Sequence, residues 1–243
     1  MDTLFLVWQW VGFVSIVLLV LVIFCLMRFI ANDLVERRSA REISEAFPSE
    51  AGVLLSDLTI PARGNETTQI DHVLIASHGL YVIEQKNYAG RLVGHIENSH
   101  WCKYTKSGAL KLQNPFRQNY GHIKAIQSLV ETDGLQCINV VLINGPCKFE
   151  GQKPEWLCMG TNEFVRKVKE RRSHTVFNAD GVRYIHDQLQ RKREPPGLYT
   201  DLQHIRRVTK KHNATMKFDQ RITLGLIHLL RVVVMRIKRF LKA

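Results

Sequence analysis

Two acidic residues and a lysine have types and spacing that could serve the hydrolysis of a phosphate ester. Asp71 lies in one predicted strand, and Glu84 and Lys86 lie near the end of the next. Because side chains alternate along a strand, Glu84 and Lys86 share one face, while Gln85 points away. Two carboxylates can hold Mg²⁺, which keeps several waters for a substrate phosphate. The lysine could then orient or deprotonate water at the metal, or stabilise charge on the phosphate.

The same Glu-x-Lys spacing also fits a solvated ion pair on an amphipathic edge strand. Here Leu80 and Val82 share the face of Glu84 and Lys86. That face of the strand is therefore apolar over its first half and charged near its end. Charges in such a place either cost desolvation free energy or bind a ligand. The context therefore favours a metal site, with Mg²⁺ as the expected cofactor and Mn²⁺ as the alternative.

The elements that must position these residues can be read from apolar periodicity and from turn residues. The pattern predicts strands over 53–60, 69–77, 80–86 and 137–143, and helices over 32–47, 114–131, 163–170 and 180–189. His78-Gly79, between the second and third strands, predicts an antiparallel hairpin. Asn114-Pro115 is typical of a helix start, with Asn as N-cap. The order predicts an α/β domain.

Several segments of this region share motifs with one family: Gln69–Val73, Gly79–Gly90, Trp101 and Asn114–Asn119. Together they resemble the nuclease-related domain (NERD), a branch of the PD-(D/E)xK nuclease superfamily, over roughly residues 32–189. The resemblance implies a restriction-endonuclease-like αβββαβ core. It also implies that Asp71 and Glu84 bind the metal and that Lys86 assists hydrolysis.

The resemblance extends to the helix after the third strand. Gln118 matches the glutamine of the family's Asn-Pro-x-x-Gln segment, which projects toward the same site. His122 is the i+4 neighbour of Gln118, so it could approach a substrate phosphate, although a partly exposed helix histidine is the favoured interpretation. Asn114 is a second candidate for substrate binding.

The sequence departs from the family pattern in the first helix. The family usually has a Gly-Glu pair there, which supplies another acid, and this chain has none at that place. Glu36 and Glu42 are the candidates for this additional acid. Without one, metal binding would be weaker.

The N-terminal residues predict a membrane anchor. Residues 3–27 carry no charge and are rich in Val, Leu, Ile and Phe, and a helix of that length exceeds the roughly 30 Å hydrocarbon core of a bilayer. The only charged residue before the run is Asp2, which does not fit the basic start of a signal peptide. Arg28, Arg37 and Arg38 follow it, so the positive-inside rule predicts a single-pass protein of the inner membrane with its domain in the cytoplasm.

Positive charge is concentrated at the C-terminus. Residues 201–243 contain eleven Lys and Arg against two acids, so only three of the chain's twelve net positive charges precede them. We expect a domain over 32–190, a basic linker over 191–220 and a basic amphipathic helix over 221–243. That helix fits an interfacial membrane helix, with a nucleic-acid-binding arm or a packing helix as alternatives.

These features together predict a membrane-anchored, metal-dependent nuclease that acts on nucleic acid, with DNA preferred to RNA as substrate. A non-catalytic nucleic-acid-binding or scaffolding module on a nuclease-like fold is the alternative. The five cysteines have no metal-ligand spacing, which argues against a zinc ribbon or a disulfide framework.

Overall fold

The computed structural model of the chain describes residues 2–49, 51–64, 66–130 and 135–195. Within these ranges there are four helices, α1 (Asp2–Ala46), α2 (Pro115–Leu129), α3 (Thr161–Glu170) and α4 (Ala179–Lys192). The strands are β1 (Val53–Pro61), β2 (Thr67–Ala76), β3 (Gly79–Asn87), β4 (Gly90–Val93), β5 (His100–Thr105), β6 (Gly108–Gln113), β7 (Cys137–Asn144), β8 (Cys147–Glu150) and β9 (Leu157–Met159).

A five-stranded sheet with the order β1-β2-β3-β7-β9 forms the core. β1 pairs with β2, and β2 with β3, in antiparallel fashion, and the turn between Ala76 and Gly79 makes the predicted hairpin. β7 then pairs with β3 in parallel, as the intervening helix α2 allows. The elements α1, β1, β2, β3, α2 and β7 therefore follow the expected αβββαβ order, and the predicted α/β fold class is confirmed.

Helices cover both faces of this sheet. On one face, Ile123 and Ile126 of α2 and Ile185 of α4 pack against the strands. On the other face, Ile43 of α1 and Phe164 of α3 do the same. Burial of these apolar side chains drives the layers together, at roughly 25 cal/mol for each Å² removed from water. The candidate site lies on the face that α2 covers.

A second sheet with the order β6-β5-β4-β8 was not predicted from the sequence. Three of its strands lie between β3 and α2 in the chain. Trp101 of β5 is buried and packs against Phe116 of α2 and Phe149 of β8, which ties this sheet to the core. β6 is exposed at nearly every position, so it lacks the apolar alternation by which a strand is recognised.

The N-terminal helix differs in one respect from the prediction. The expected span 3–27 and the expected helix 32–47 are one continuous helix, α1. In the part of the chain that the structure describes, Trp8–Ala46 is the helical segment long and apolar enough to cross a membrane by length and composition, with a mean hydropathy of 3.0 in its best window. Its large apolar side chains, Phe13, Leu18 and Phe24 among them, are exposed to the surroundings.

The residues Val35–Pro196 form one compact unit, which contains all the strands described above, and residues up to Leu34 belong to another. α4 extends to Lys192, so the first residues of the predicted linker 191–220 are helical. The rest of that linker from residue 196 and the predicted helix 221–243 lie outside the described residues.

Candidate active site

The β2–β3 hairpin brings the three candidate residues of the two strands together. His72 pairs with Ile83 across the hairpin, and the same register continued by one residue sets Asp71 opposite Glu84. Leu80 and Val82, which share a face with Glu84, lie in the core beneath α2 and α4. Asp71, Glu84 and Lys86 therefore project from the α2 side of the sheet, at the end of β3.

Asp71 is held by the neighbouring strand. Its Oδ2 accepts a hydrogen bond from the backbone N–H of Gln85 at 2.7 Å. Burial raises the pKa of Asp71 well above its ordinary value, and the negative charges of Glu84 and Glu36 raise it further. The N–H of Gln85 and the charge of Lys86 oppose this without reversing it. Asp71 is thus a carboxylate whose charge has a high cost in this protein.

Glu84 is buried, with 2% of its surface exposed, and has partners at both oxygens. Oε1 forms an ion pair with the ammonium of Lys86. Oε2 accepts from Nε2 of His122 at 3.0 Å. Burial by itself would raise the pKa of Glu84, but the hydrogen bond and charge of His122 and the charge of Lys86 outweigh it and lower the pKa. Glu84 is therefore more readily ionised than Asp71, whose pKa is raised.

Lys86 is the cation of the group, and about a quarter of its side chain remains exposed. Burial favours the loss of its proton, but the adjacent Glu84 carboxylate prevails and raises the pKa of Lys86 above its usual value. Lys86 consequently carries a positive charge at neutral pH, and its ammonium group is partly open to solvent.

The two acids proposed from α1 differ in their surroundings. Glu36 is close enough to Asp71 for its charge to raise the pKa of that residue. Glu42 instead accepts a hydrogen bond from Nε of Arg38 at 2.8 Å, and a further bond from Thr161 helps to lower its pKa. The structure therefore associates Glu36 with Asp71, whereas Glu42 is engaged with α1 and α3.

Helix α2 contributes two of the predicted residues to one face. His122 reaches Glu84, and Gln118 lies one turn earlier on the same side of the helix, half-buried. His122 has only 6% of its surface exposed, and its Nδ1 is bonded to Oγ1 of Thr68 at 2.7 Å. The expected contact of His122 with a substrate phosphate is thus replaced, in this arrangement, by a contact with a carboxylate.

Asn114 is fully used in holding the start of α2. Its Oδ1 accepts from the backbone N–H of Phe116, as predicted for an N-cap, and its Nδ2 donates to the carbonyls of Ile96 at 2.8 Å and Asn98 at 2.7 Å. None of its surface is exposed. A substrate contact, as the sequence suggested, would require Asn114 to give up these bonds, so the geometry assigns it to the structure of the loop and helix.

Residues 32–144 match the sequence profile of the nuclease-related domain. This part of the chain is a nuclease-related domain. An uncharacterized protein of Bacillus anthracis is 36% identical over 115 residues, which cover 47% of this chain and 53% of that protein, so the chain spans about half the length of this relative. No solved structure matches the chain.

The carboxylates of the nuclease-related domain suit a hard cation with few protein ligands. Among the residues described, no group of three or more His, Cys, Asp and Glu side chains has the spacing of a metal centre. Mg²⁺ commonly uses one or two carboxylates and keeps several waters, and Asp71 with Glu84 would supply two. A divalent cation would also offset the repulsion that raises the pKa of Asp71.

Three hydrogen bonds in the nuclease-related domain are not predicted from the sequence. These are the bond from His122 to Glu84, the bond from Thr68 to His122 and the bond from the Gln85 amide to Asp71. They join residues far apart in the chain or use a backbone group, so no local spacing signals them. The one available signal was that a histidine follows Gln118 by four positions.

A groove of about 790 Å³ lies between the first turns of α2 and the start of β7. Its lining includes Phe116, Arg117, Tyr120, Asn139 and Trp156. It is bordered by none of Asp71, Glu84 and Lys86. The groove and the candidate site are thus separate features of the domain.

Proposed function

We propose that this protein is a membrane-anchored, metal-dependent nuclease that hydrolyses phosphodiester bonds of nucleic acid, with DNA preferred to RNA. The observation that carries the proposal is that Asp71 and Glu84 lie opposite each other in the β2–β3 register, with the ammonium of Lys86 paired to Glu84. Such a group combines the ligands of a divalent cation with a positive charge for a phosphate. The nuclease-related domain supports nucleic acid as the substrate class.

Asp71 and Glu84 would hold the cation, with Glu36 as a further acid at its edge. A bound Mg²⁺ or Mn²⁺ would supply Lewis acidity toward the phosphate and toward the attacking water. The three carboxylates lie close enough for Glu84 and Glu36 to raise the pKa of Asp71. In the proposed enzyme this repulsion is a cost of the free site that cation binding relieves.

Lys86 and Gln118 would act on the substrate itself. Hydrolysis forms a bond from the water oxygen to phosphorus and breaks the bond from phosphorus to one ester oxygen, while negative charge grows on the phosphate oxygens. Lys86 retains its proton because Glu84 raises its pKa, so it serves this reaction as a hydrogen-bond donor and cation. The amide of Gln118 can both donate to a phosphate oxygen and accept from water, which suits a positioning role.

The alternative, a binding or scaffolding module without catalysis, predicts a different outcome from the same assay. The full chain, in detergent micelles, would be incubated with single- and double-stranded DNA and RNA, in Mg²⁺, in Mn²⁺ and in a chelator. The nuclease hypothesis predicts that nucleic acid is cleaved in Mg²⁺ or Mn²⁺ and not in the chelator. Binding of nucleic acid by the folded protein without any cleavage would favour the module instead.

Variants assign any cleavage to this site. Asp71→Asn and Lys86→Met should each abolish it. Asp57→Asn is a matched control, since Asp57 is an exposed acid on the neighbouring strand β1 and Asn tolerates its positive φ of 53°. Cleavage that survives Asp71→Asn and Lys86→Met would refute the assignment of the site.

Membrane anchoring is supported by the length, composition and exposure of the apolar part of α1. We propose that residues 3–27 span the inner membrane and place the nuclease-related domain in the cytoplasm. The full chain should then stay in the membrane fraction after washing in high salt, and a chain without residues 3–27 should not. Release of the full chain by salt alone would refute the anchor.

A further inference from the structure

A largely buried chain of hydrogen bonds joins β2 and α2 to the Glu84 carboxylate of β3. Oγ1 of Thr68, at the start of β2, lies 2.7 Å from Nδ1 of His122 on α2. Nε2 of His122 lies 3.0 Å from Oε2 of Glu84 on β3. His122 and Glu84 are 6% and 2% exposed, so water does not compete freely for these bonds.

The direction of the bond at Glu84 follows from elementary chemistry. An ionised carboxylate only accepts hydrogen bonds, so Nε2 of His122 must carry the hydrogen. The hydroxyl of Thr68 can donate or accept, and it therefore matches whatever Nδ1 requires. With both ring nitrogens engaged, the imidazole has one orientation, and that orientation points Nε2 at Oε2 of Glu84.

Glu84 is thereby held from two sides. The ion pair with Lys86 uses Oε1, and the bond from His122 uses Oε2. Two fixed contacts on different oxygens stop the carboxylate group from rotating about its last side-chain bond. Each oxygen keeps a second lone pair, so a carboxylate held in this way can still bind a cation.

We propose that Thr68 and His122 are positioning residues that orient the Glu84 carboxylate for its cation, and that neither contacts the substrate. This inference rests on the proposed function, because it takes Glu84 as a metal ligand. Hydrogen-bond partners of metal-binding side chains typically contribute about 10- to 100-fold to metal affinity. If Thr68 and His122 only filled space in the protein interior, substituting them would leave the metal affinity unchanged.

The test measures Mn²⁺ binding without nucleic acid, from the electron paramagnetic resonance signal of free Mn²⁺ over the full chain in detergent micelles. His122→Leu, which removes the donor, should weaken Mn²⁺ binding about 10- to 100-fold. His122→Gln, which can place an N–H near the same point, should recover most of this loss. Thr68→Val should weaken binding several-fold, and Thr68→Ser should not.

Another buried histidine provides the control. His78 is 3% exposed and bonds through Nδ1 to the hydroxyl of Tyr81 at 2.8 Å, at the hairpin turn, the opposite end of β3 from Glu84. His78→Gln should lower the melting temperature and leave the Mn²⁺ affinity as it is. The same result for His122→Leu, or for Thr68→Val if His122→Leu does not fold, would overturn the positioning role. Failure of the unaltered chain to bind Mn²⁺ would instead overturn the proposed metal site itself.

Discussion

The backbone N–H of Gln85 donates to Oδ2 of Asp71 across the β2–β3 hairpin, at 2.7 Å. Strand β3, which carries Glu84 and Lys86, thus also holds the carboxylate of Asp71 on the neighbouring strand β2. The side chain of Gln85 points to the other face, as alternation predicts, and its Oε1 lies 3.1 Å from Nε2 of His72. One residue therefore anchors Asp71 through its backbone and packs the opposite face through its side chain.

Asp71→Asn should stabilise the free protein while it removes activity. Burial and the charges of Glu84 and Glu36 raise the pKa of Asp71, so the ionised form lowers stability at neutral pH. Asp71 contributes favourably to stability at pH values below its pKa in the unfolded chain. This contribution is lost as the pH rises through the raised pKa of Asp71 in the folded protein. Asn keeps an acceptor for the Gln85 amide without the charge. We expect a higher melting temperature at neutral pH, by roughly 2–4 °C for each kcal/mol gained.

The same substitution should reduce metal-dependent cleavage by at least about 100-fold, because it removes a charged ligand of the proposed cation. Calorimetry in a chelator and cleavage in Mg²⁺ would be measured on one preparation. A lower melting temperature together with normal cleavage would show that Asp71 is a structural residue instead.

The αβββαβ core could be predicted because its signals are local. Strands β3 and β7 are buried and rich in apolar residues, the His78-Gly79 turn allows only a tight hairpin, and Asn114-Pro115 marks a helix start. The grouping of Asp71 with Glu84 and Lys86 follows from strand alternation and hairpin register together. A resemblance to a known family added the expectation for Gln118.

The features of the fold and the site that the sequence does not predict depend on contacts between residues far apart in the chain. His122 of α2 bonds to Glu84 of β3, 38 residues away in the chain, and the charge of Glu36 in α1 acts on Asp71 of β2. The second sheet has strands as short as four residues, too short for a clear period. The motif around Asn114 predicts a substrate contact, yet the side-chain amide of Asn114 donates to the carbonyls of Ile96 and Asn98 in the preceding loop.

Asn114→Ala should reduce stability rather than substrate affinity. It removes the cap at Phe116 and the amide donor that the carbonyls of Ile96 and Asn98 share. We expect a loss of about 2–4 kcal/mol in the free energy of unfolding. At a temperature where the variant is folded, its KM for nucleic acid should match that of the unaltered chain. A raised KM with an unchanged melting temperature would restore Asn114 as a substrate contact.

His72 should make the stability of the protein depend on pH in a definite window. Burial lowers the pKa of His72 from 6.5 to about 4, while its ring is bonded to Ser56 and Gln85. Between these two values the unfolded chain binds the proton and the folded chain does not, so stability falls as the pH falls. Relative to His72→Gln, the unaltered chain should lose on the order of 2 kcal/mol more between pH 7 and pH 5. Urea unfolding at the two pH values measures this, and equal losses would contradict it.

Gln118→Ala should impair cleavage without harming the fold. Gln118 lies one turn before His122 on the same side of α2 and is only half-buried, so its removal should shift the melting temperature little. Loss of a donor aimed at a developing charge typically costs on the order of 100-fold or more in rate. Tyr120→Ala is the matched control, because Tyr120 is 55% exposed on the same helix and lines the separate groove. We expect a large drop in kcat for Gln118→Ala and almost none for Tyr120→Ala, and similar small effects for both would remove Gln118 from the site.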